Sequence, residues 1–586
     1  MLRPIALSSA LLSLAFAGTC LADGTWETVL SSADPTVPGV ANAVWVPNTF
    51  NNPTIDNDGR VQVRGQVGGA GITLANSRLI VRGVPGNWTI LARDGSPVPS
   101  NDPAGFVFNN ASGQNGLGSA NIITSAGDTV VAGTINGPGV TTTTDTAMYF
   151  VPGNGAASWL MAREGMAYPT GATITSTFTG SSGMQCNTNG EAVASVSLSG
   201  GDVSGSTNNQ AIVVFSSTGV RPVFRKGSAA PGFADGTTLT PDTFGLQLNG
   251  SGDVAFGGTL VGGTVTTADD KVLVTTAGAP AGQTRIVARE GTLVQGYTDV
   301  AFKSTGSFSP ANHALAADGS YLFTASFEGA GVATGINDGG VILEKNGIMT
   351  MLLRRGDTVP NTGGLVFFGV SNTAFLMNSS GAVAYQGILM NADGSQATNT
   401  GYIGVRKADG TVITVLREGD TLPGGSATIS SVSGQSNLCF SDCGVAVFTA
   451  SLSDTGSAVI AWDEVHGLRT LGRTGDTTFT GTPAEQITLI GSTGVNGNSG
   501  NTGISSTGWL VLRAADFTNQ VYAVSRIFLG SNPCPSDLNG DQVVDGADLG
   551  LLLGNWGNSG VGDIDGSGTV DGADLGLLLG GWGACP

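Results

Sequence analysis

The sequence is poor in the residues on which most enzyme sites depend. It has two histidines in 586 residues, aromatic residues make up 6%, and charged residues only 11%. No run of ~20 apolar residues, the length of a transmembrane helix, occurs anywhere in the chain. Lys and Arg number 24 against 43 Asp and Glu, which gives a formal net charge of −19. This charge argues against nucleic acid and anionic membranes as partners and suits a soluble, exported protein that binds cations.

Catalytic signatures are equally scarce. The motifs G-x-S-x-G and H-E-x-x-H do not occur, and neither His313 nor His466 has a metal-ligating neighbour at a useful spacing. Asp463 and Glu464 are adjacent, so they would point to opposite faces of a strand rather than form an acid/base pair. Catalytic residues are therefore left unassigned. Carboxylates from distant parts of the chain could still meet in a glycosidase-type site.

The N-terminus has the pattern of a signal peptide. Arg3 precedes the apolar run 5–16, and small residues follow as far as Ala22. We therefore expect residues 1–22 to be removed during export and the mature protein to be secreted, and either released or held at a cell surface.

Cysteines are few, and export permits them to form disulfides. We expect Cys534 and Cys585 to join the two ends of a short C-terminal region. Cys439 and Cys443 are close in sequence and could pair, which would leave Cys186 over.

Glycine, in contrast, is abundant: 93 residues, many of which mark a repeat of 62 to 68 residues. The glycine of one turn recurs at Gly59, Gly127, Gly190, Gly252, Gly319, Gly381, Gly444 and Gly508. A second turn carries an arginine, at Arg93, Arg163, Arg225, Arg289, Arg355, Arg417 and Arg473. Because an active site needs its groups only once, we expect these arginines to bond carboxylates or turn carbonyls within the scaffold. Arg355-Gly356-Asp357 is interpreted in the same way, and not as an adhesion motif.

Each repeat holds three or four short strands, which predicts a mostly β protein built as a propeller. A solenoid or a string of small sandwiches is the alternative. The last unit stops before its final strand, and the N-terminal segment TWETVL supplies a strand of that type. We therefore predict that residues 23–530 form eight blades closed by the N-terminal strand, with no end sheet left exposed.

One stretch of the repeat, Asn249 to Phe256, reads NGSGDVAF. It is similar to the consensus of secreted bacterial "choice-of-anchor" proteins, which contain tandem N-x-x-G-x-x-A-F repeats. Asn187 and Asn378 match the asparagine position, whereas Ala316 and Ser441 depart from it. The resemblance covers about residues 24–530 and implies a variable C-terminal anchoring module, but no activity.

Residues 531–586 differ in composition and contain a duplicated loop with the ligand spacing of an EF-hand-like calcium site. Oxygen ligands at alternate positions predict two Ca²⁺ sites. The first site comprises Asp537, Asn539, Asp541, the carbonyl of Val543, Asp545 through a water, and Asp548. The second comprises Asp563, Asp565, Ser567, the carbonyl of Thr569, Asp571 and Asp574. The region has eight carboxylates and no Lys or Arg, so we expect calcium binding to be coupled to its folding.

The duplicated loop and helix resemble a type I dockerin, a small helical calcium-binding module that docks onto cohesin modules. The resemblance covers about residues 534–585 and implies a cohesin-like partner. Gly546-Ala547 and Gly572-Ala573 stand where such dockerins often carry hydroxyl residues, so another cell-surface partner is an equal alternative.

The function expected from these features is that of an exported, surface- or matrix-associated binding or structural protein, tethered by its calcium module. The alternative is a polysaccharide-active enzyme, a glycoside hydrolase or a lyase, with its site at the mouth of the propeller.

Overall fold

The structure is a computed structural model, and it describes residues 26–584 except 101–104, 110–116, 177, 179–183, 244, 433–437, 490–502, 530–535, 537, 539–542, 559–561, 563 and 565–568. The expected signal peptide therefore lies outside the described residues. Neither helix of the described part is long and apolar enough to cross a membrane.

The chain begins with strand β1 (Glu27–Ser31) and then forms one antiparallel sheet after another. Blade 1 contains β2 (Ala43–Trp45), β3 (Asn51–Ile55), β4 (Val61–Gly69), a 3-10 turn (Leu74–Asn76), β5 (Arg78–Val84) and β6 (Asn87–Arg93). Blade 2 contains β7 (Val107–Phe108), β8 (Leu117–Ile123), β9 (Thr129–Asn136), β10 (Thr146–Val151) and β11 (Trp159–Arg163). Blade 3 contains β12 (Thr173–Ile174), β13 (Gln185–Cys186), β14 (Ala192–Ser199), β15 (Gln210–Ser216) and β16 (Gly219–Arg225). Blade 4 contains β17 (Thr238–Pro241), β18 (Gln247–Leu248), β19 (Val254–Val261), β20 (Lys271–Thr275) and β21 (Arg285–Arg289).

The second half repeats this pattern. Blade 5 contains β22 (Ala301–Phe302), β23 (Phe308–Leu315), β24 (Tyr321–Glu328), β25 (Gly339–Lys345) and β26 (Ile348–Arg354). Blade 6 contains β27 (Val366–Met377), β28 (Val383–Met390), β29 (Gln396–Arg406) and β30 (Val412–Arg417). Blade 7 contains β31 (Ile429–Ser431), β32 (Leu438–Phe440), β33 (Ala446–Leu452), β34 (Ser457–Asp463) and β35 (Gly467–Arg473). Blade 8 contains β36 (Gln486–Leu489), β37 (Trp509–Asp516) and β38 (Val521–Phe528), and β1 completes it.

In each blade four strands lie side by side, and in most blades the first strand is split into two segments that both pair with the second. First strands of successive blades contact one another, as β8 does with β3 and β13, so they lie at the centre of the ring. The first and third strands of a meander run in the same direction. The turn after the first strand (inner turn) and the turn after the third (outer turn) therefore share one face of the ring.

The hydrophobic cores lie between the blades rather than within them. Side chains alternate across each strand, so a blade presents one apolar face to each neighbour. One buried cluster joins Val130 of blade 2 to Phe215 of blade 3, and another joins Ile460 of blade 7 to Leu376 of blade 6. A cluster of the same kind fills each of the eight junctions, including the junction of blade 8 with blade 1. An open solenoid would lack this last cluster, so the predicted eight-bladed ring is confirmed.

Closure by the N-terminal strand is also as predicted. Strand β1 pairs antiparallel with β38, with Glu27 opposite Arg526 and Leu30 opposite Val524. Trp26 Nε1 donates a hydrogen bond of 2.7 Å to the carbonyl of Leu471 in blade 7. Blade 8 is thus built from both ends of the ring sequence.

The repeated glycine belongs to the inner turn. Its φ is positive in all eight copies, from 71° at Gly59 to 104° at Gly508, a conformation in which a Cβ would be strained. The glycine periodicity of the sequence therefore records a backbone requirement of each blade.

The C-terminal module contains β39 (Val543–Val544), α1 (Gly546–Gly554), α2 (Gly572–Gly580) and β40 (Gly583–Ala584). Strand β39 pairs with β40, and Val544, Leu552, Val570 and Leu578 form a small buried core. Cys534 and Cys585, whose pairing was predicted, lie outside the described residues.

Candidate functional site

Two identical helices organise the predicted calcium module. Helices α1 and α2 share the sequence GADLGLLLG, and each is capped by an aspartate at its N-terminus. The Asp545 carboxylate accepts a hydrogen bond of 2.7 Å from the backbone N–H of Ala547, and Asp571 accepts one of 2.8 Å from Ala573. Such caps satisfy N–H groups that have no partner within the helix.

The final predicted ligand of each loop is a buried carboxylate. Asp548 is 0% exposed; it accepts hydrogen bonds from the backbone N–H of Leu538 and of Asp545, both at 2.8 Å. Asp574 is also fully buried and makes the equivalent two bonds at 2.7 and 2.8 Å. Each carboxylate therefore ties the start of its loop to the start of the following helix.

Half of the predicted calcium ligands can be placed. The ligands outside the described residues are Asp537, Asn539, Asp541, Asp563, Asp565 and Ser567. Val543 lies in β39, and Thr569 lies two residues before the helix cap Asp571. The four aspartates of the helix starts lie as described above. Within the described residues alone, no group of three His, Cys, Asp or Glu side chains forms a metal site.

The residues that are described fit a hard cation. Burial of a carboxylate is unfavourable unless its charge is compensated, and the module supplies no Lys or Arg for Asp548 and Asp574. All the predicted ligands are oxygens, the donor type that Ca²⁺ prefers. A bound Ca²⁺ would supply the compensating charge.

In the ring, the repeated arginines have the structural role that we expected. Six of the seven end the fourth strand of their blades, and in five of these the Nε donates to a backbone carbonyl at or near the start of the third strand. Arg93 donates to Asn76 at 2.9 Å, Arg225 to Asn208 at 2.9 Å, and Arg289 to Asp269 at 2.8 Å. Arg163 and Arg417 make the same bond at 3.1 Å, and Arg473 pairs with the Asp454 carboxylate at 2.5 Å. These arginines therefore link the two outer strands of their blades.

The arginine predicted for blade 5 is wrong by one residue. Arg354, not Arg355, ends the fourth strand and donates to Asn337 at 3.0 Å. Arg355 forms an ion pair of 2.5 Å with Asp338, and its guanidinium lies over the Phe368 ring. Asp357 accepts a hydrogen bond from the backbone N–H of Arg354. Both charged groups of the adhesion-like tripeptide are thus engaged within the fold, in agreement with our interpretation.

A second set of repeated carboxylates, which was not predicted, follows these arginines. Glu290 accepts hydrogen bonds from the backbone N–H of Ser307 (2.9 Å) and of Lys271 (3.3 Å), and Glu418 accepts one from Gly401 (2.9 Å). Asp94 accepts one from Leu117 at 2.9 Å. Asp94 and Glu290 thereby bind the first strand of the next blade where it is interrupted, and Glu418 does so through the backbone N–H of Val432 at 3.4 Å. The spacing Arg-(Asp/Glu)-Gly was the signal that could have revealed them.

The asparagine of the N-x-x-G repeat links neighbouring blades. Asn187 Nδ2 donates to the carbonyl of Asn249 at 3.0 Å, and Asn249 Nδ2 donates in turn to Ala316 at 2.9 Å. The Oδ1 of each accepts backbone N–H groups of its own inner turn. Asn378 reaches Ser441 at 3.5 Å. The motif thus specifies both the turn and its attachment to the next blade.

The two histidines lie in different surroundings. His313 is buried in blade 5, where its Nδ1 is 2.6 Å from the hydroxyl of Tyr321, and burial raises the pKa of that tyrosine. His466 lies in the outer turn of blade 7, with Nδ1 3.1 Å from both carboxylate oxygens of Asp463. His466 lines a surface cleft.

That cleft, the blade 6/7 cleft, has a volume of about 550 Å³. It is formed by the inner turns 378–382 and 440–445 and the outer turns 405–409 and 462–466, with Leu529 at one side. Its lining includes the half-buried Trp462, the exposed thiol of Cys443 and several charged side chains. None of these groups is required by the repeat.

Charges in the cleft are partly paired. Lys407 of blade 6 and Glu464 of blade 7 form an ion pair of 2.7 Å across it. Asp463 is bound by Arg469 at 2.7 Å as well as by His466; burial alone would raise its pKa, but these bonds hold the pKa below its usual value. Burial raises the pKa of Asp442, which accepts a hydrogen bond of 2.7 Å from the backbone N–H of Ser379.

The expected alternative pairing of Cys439 with Cys443 is absent. Cys443 is a free, exposed thiol whose Sγ lies 3.0 Å from the hydroxyl of Ser441, while Cys439 is buried in β32. Cys186 is buried in β13, and burial raises the pKa of its thiol well above the usual range.

Residues 115–359, 303–484 and 377–584 each match the sequence profile of a family of unknown function (DUF7453). No curated protein sequence matches the chain.

Solved structures that resemble parts of the chain have low sequence identity to it. The acylaminoacyl peptidase of Pyrococcus horikoshii is 10% identical with a TM-score of 0.33; the match covers 72% of this chain and 52% of the peptidase, about half its length. The polysaccharide lyase Uly1 is 10% identical with a TM-score of 0.32, over 72% of this chain and 91% of the lyase. The Penicillium chrysogenum alpha-L-arabinanase is 12% identical with a TM-score of 0.23, over 65% of this chain and 98% of that enzyme. These values are too low for a function to be transferred.

Proposed function

We propose that the chain, which belongs to the DUF7453 family of unknown function, is an exported binding protein. Its C-terminal module attaches it, in a calcium-dependent manner, to a partner at a cell surface or in a matrix. The ring is the part that binds or presents a ligand. The module, which resembles a dockerin in sequence, is the part that docks.

The observation that carries this proposal is a duplicated apolar surface on the module. Each helix exposes two leucines and is followed by an exposed tryptophan, so that large apolar side chains recur at an interval of 26 residues. The pairs are Leu551 and Leu577, Leu553 and Leu579, and Trp556 and Trp582, all between 39% and 53% exposed. Exposed leucines and tryptophans grouped in this way mark protein interaction sites.

The predicted calcium sites support the same function. The loops that carry the predicted ligands precede α1 and α2, so a bound cation would fix the positions of the helices that bear the apolar side chains. A cohesin-like module or another surface protein could occupy this surface. Attachment should therefore require calcium.

The bonds made by the repeated polar residues favour a binding role over a catalytic role for the ring. The repeated arginines, carboxylates and asparagines of the described blades are held in structural bonds within and between blades. The alternative, a polysaccharide hydrolase or lyase, would need carboxylates contributed by residues outside the repeat. Asp442 and Glu464 in the blade 6/7 cleft are the groups that such an activity would use.

A retention assay with the full chain tests the proposal. The protein is passed over immobilised cell envelopes and over an immobilised cohesin module, in calcium and in EDTA. We expect retention on one of them in calcium only, and loss of retention in the double variant Trp556→Ser/Trp582→Ser. Trp88→Ser, a half-buried tryptophan of blade 1, is the matched control and should be retained normally. Equal retention in EDTA, or an unaffected double variant, would show that the module is not a calcium-dependent tether. Cleavage of any member of a polysaccharide panel would favour the enzyme instead.

A further inference from the structure

The blade 6/7 cleft combines an apolar body with a polar rim. Trp462 lies half-buried at the end of β34, and Val405, Phe440 and Leu529 also line the cleft, although each is 3% exposed or less. Val465 lies at the rim and is 85% exposed. A volume of about 550 Å³ falls within the range of about 300–1,000 Å³ typical of small-molecule sites. A flat aromatic side chain and apolar walls suit a ligand with an apolar ring face.

The charged groups of the cleft have an excess of carboxylates. Glu464 is neutralised by Lys407, and Asp463 by Arg469. Asp409 and Asp442 form no ion pair with any described residue. The chain as a whole carries a formal net charge of −19, which favours cations over anions at long range. A cationic ligand is therefore attracted and an acidic one repelled.

These two properties point to one class of ligand. We propose that the blade 6/7 cleft binds a short oligosaccharide that carries free amino groups, with a sugar ring against Trp462 and the ammonium groups near Asp409 and Asp442. Sugar rings offer an apolar face for the tryptophan, and their hydroxyl groups can donate to the remaining carboxylate oxygens. An ammonium group is attracted to an aromatic face as well as to carboxylates. This proposal rests on the binding role proposed above for the ring, but not on the calcium-dependent tether.

Titration calorimetry of the full chain with a matched set of probes tests the assignment. The set comprises glucosamine oligomers, their N-acetylated counterparts, neutral glucose oligomers, uronic acid oligomers and a simple alkyl diamine. We expect the glucosamine oligomers to bind at least about tenfold more tightly than the neutral oligomers, and the uronic acids not to bind. A diamine that binds as well as the glucosamine oligomer would refute the saccharide part of the assignment. Preference for the neutral, acetylated or acidic oligomers would refute the role of the charge.

Variants then locate the site. Trp462→Ala should weaken all saccharide binding by about tenfold, and Trp462→Phe should restore most of it. Asp409→Asn/Asp442→Asn should reduce binding of the amino sugar to the level of the neutral sugar and leave the neutral sugar unchanged. Trp88→Ala and Asp454→Asn lie outside the cleft and serve as controls. Binding that is unaffected by the cleft variants would overturn the proposal.

Cys443 supplies an independent reporter at the same site. Its exposed thiol lines the cleft, whereas Cys186 is buried in the ring. The bound amino sugar should slow alkylation of Cys443 severalfold, as followed by mass spectrometry of the labelled peptides, and Trp462→Ala should abolish this protection. Absence of protection at saturating ligand would place the ligand elsewhere. Because the tether is measured by calcium-dependent retention, its failure would leave these saccharide measurements unaffected.

Discussion

Asn249 allows the two roles of the N-x-x-G repeat to be separated. Its Oδ1 accepts the backbone N–H groups of Ser251 (3.0 Å) and Asp253 (2.8 Å) within its own turn, and its Nδ2 donates to Ala316 of the next blade at 2.9 Å. Asn249→Ser should keep an acceptor for the turn, because Ser441 fills this role in blade 7, where its Oγ accepts the N–H of Val445 at 3.0 Å. The serine cannot supply the donor across the junction. Asn249→Ala removes both functions.

The structure sets the expected magnitudes. Asn249 is 0% exposed, so its bonds are shielded from water. The carbonyl of Ala316 keeps a second partner, the N–H of Gly319 at 3.0 Å, and is not left unsatisfied by the substitution. Loss of the link between blades should therefore cost the ring about 1 kcal/mol in Asn249→Ser. Asn249→Ala also removes the side-chain acceptor of the Ser251 and Asp253 N–H groups, which lie in a partly exposed turn, and should cost about 2 kcal/mol.

The ring is large, so a local readout is preferable to a single unfolding transition. Hydrogen exchange of the full chain, at fixed calcium concentration, should show faster exchange at both inner turns, 249–253 and 316–320, in Asn249→Ser. Urea midpoints should rank wild type above Asn249→Ser and Asn249→Ser above Asn249→Ala. Equal effects of the two substitutions, or unchanged exchange at 316–320, would show that the asparagine serves its own turn only. Ser441→Asn, which restores the repeat residue in blade 7, should be neutral or stabilising.

Three further predictions follow from the ring and the module. Deletion of residues 26–31 should lower the thermal midpoint of the ring by several degrees and promote self-association on a sizing column, because β38 becomes an exposed edge. The control Glu27→Gln removes only an exposed ion pair with Arg526, and it should lower the free energy of unfolding by less than about 1 kcal/mol. Asp548→Asn and Asp574→Asn should each remove one of two calcium equivalents in titration calorimetry, and loss of both equivalents or neither would contradict two separate sites. The lowered pKa of Asp463 means that its stabilising contribution is present above the unfolded pKa of about 3.9 and is lost as the pH falls through the lower folded pKa. The destabilisation caused by Asp463→Asn in urea should therefore be largest near neutral pH and shrink below about pH 4, and a constant difference would refute this assignment.

The regular part of the fold could be predicted from the sequence because it depends on local chemistry that recurs. Each blade needs a glycine at positive φ and an arginine at the end of a strand, so these residues recur in the sequence at a nearly fixed spacing. The missing strand of blade 8 could be found because the two ends of the repeat complement each other. The error at Arg355 arose where two arginines are adjacent, although the spacing Arg-x-Gly shared by the other six copies identifies Arg354.

The blade 6/7 cleft could not be predicted in this way. Its groups come from four turns of two blades, and Lys407 meets Glu464 from a position 57 residues away. Such pairs depend on how neighbouring blades face each other, which no local pattern encodes. We expected functional residues to be those that the repeat does not require. This criterion does not say where in the ring such residues meet.

The position of the cleft in the ring has a physical basis. Where the asparagine links blades 3, 4 and 5, its Nδ2 lies 3.0 or 2.9 Å from the next carbonyl, whereas at the junction of blades 6 and 7 the distance is 3.5 Å. The weaker link is accompanied there by two contacts that the repeat does not specify, from Ser379 to Asp442 and from Lys407 to Glu464. Both contacts use charged side chains of the cleft, so the groups that would bind a ligand also hold this junction together. Occupation of the cleft should therefore reduce hydrogen exchange at the inner turns of blades 6 and 7, while exchange at the inner turns of blades 3 and 4 stays unchanged. Protection spread evenly over the ring would show that the junction and the site are not coupled.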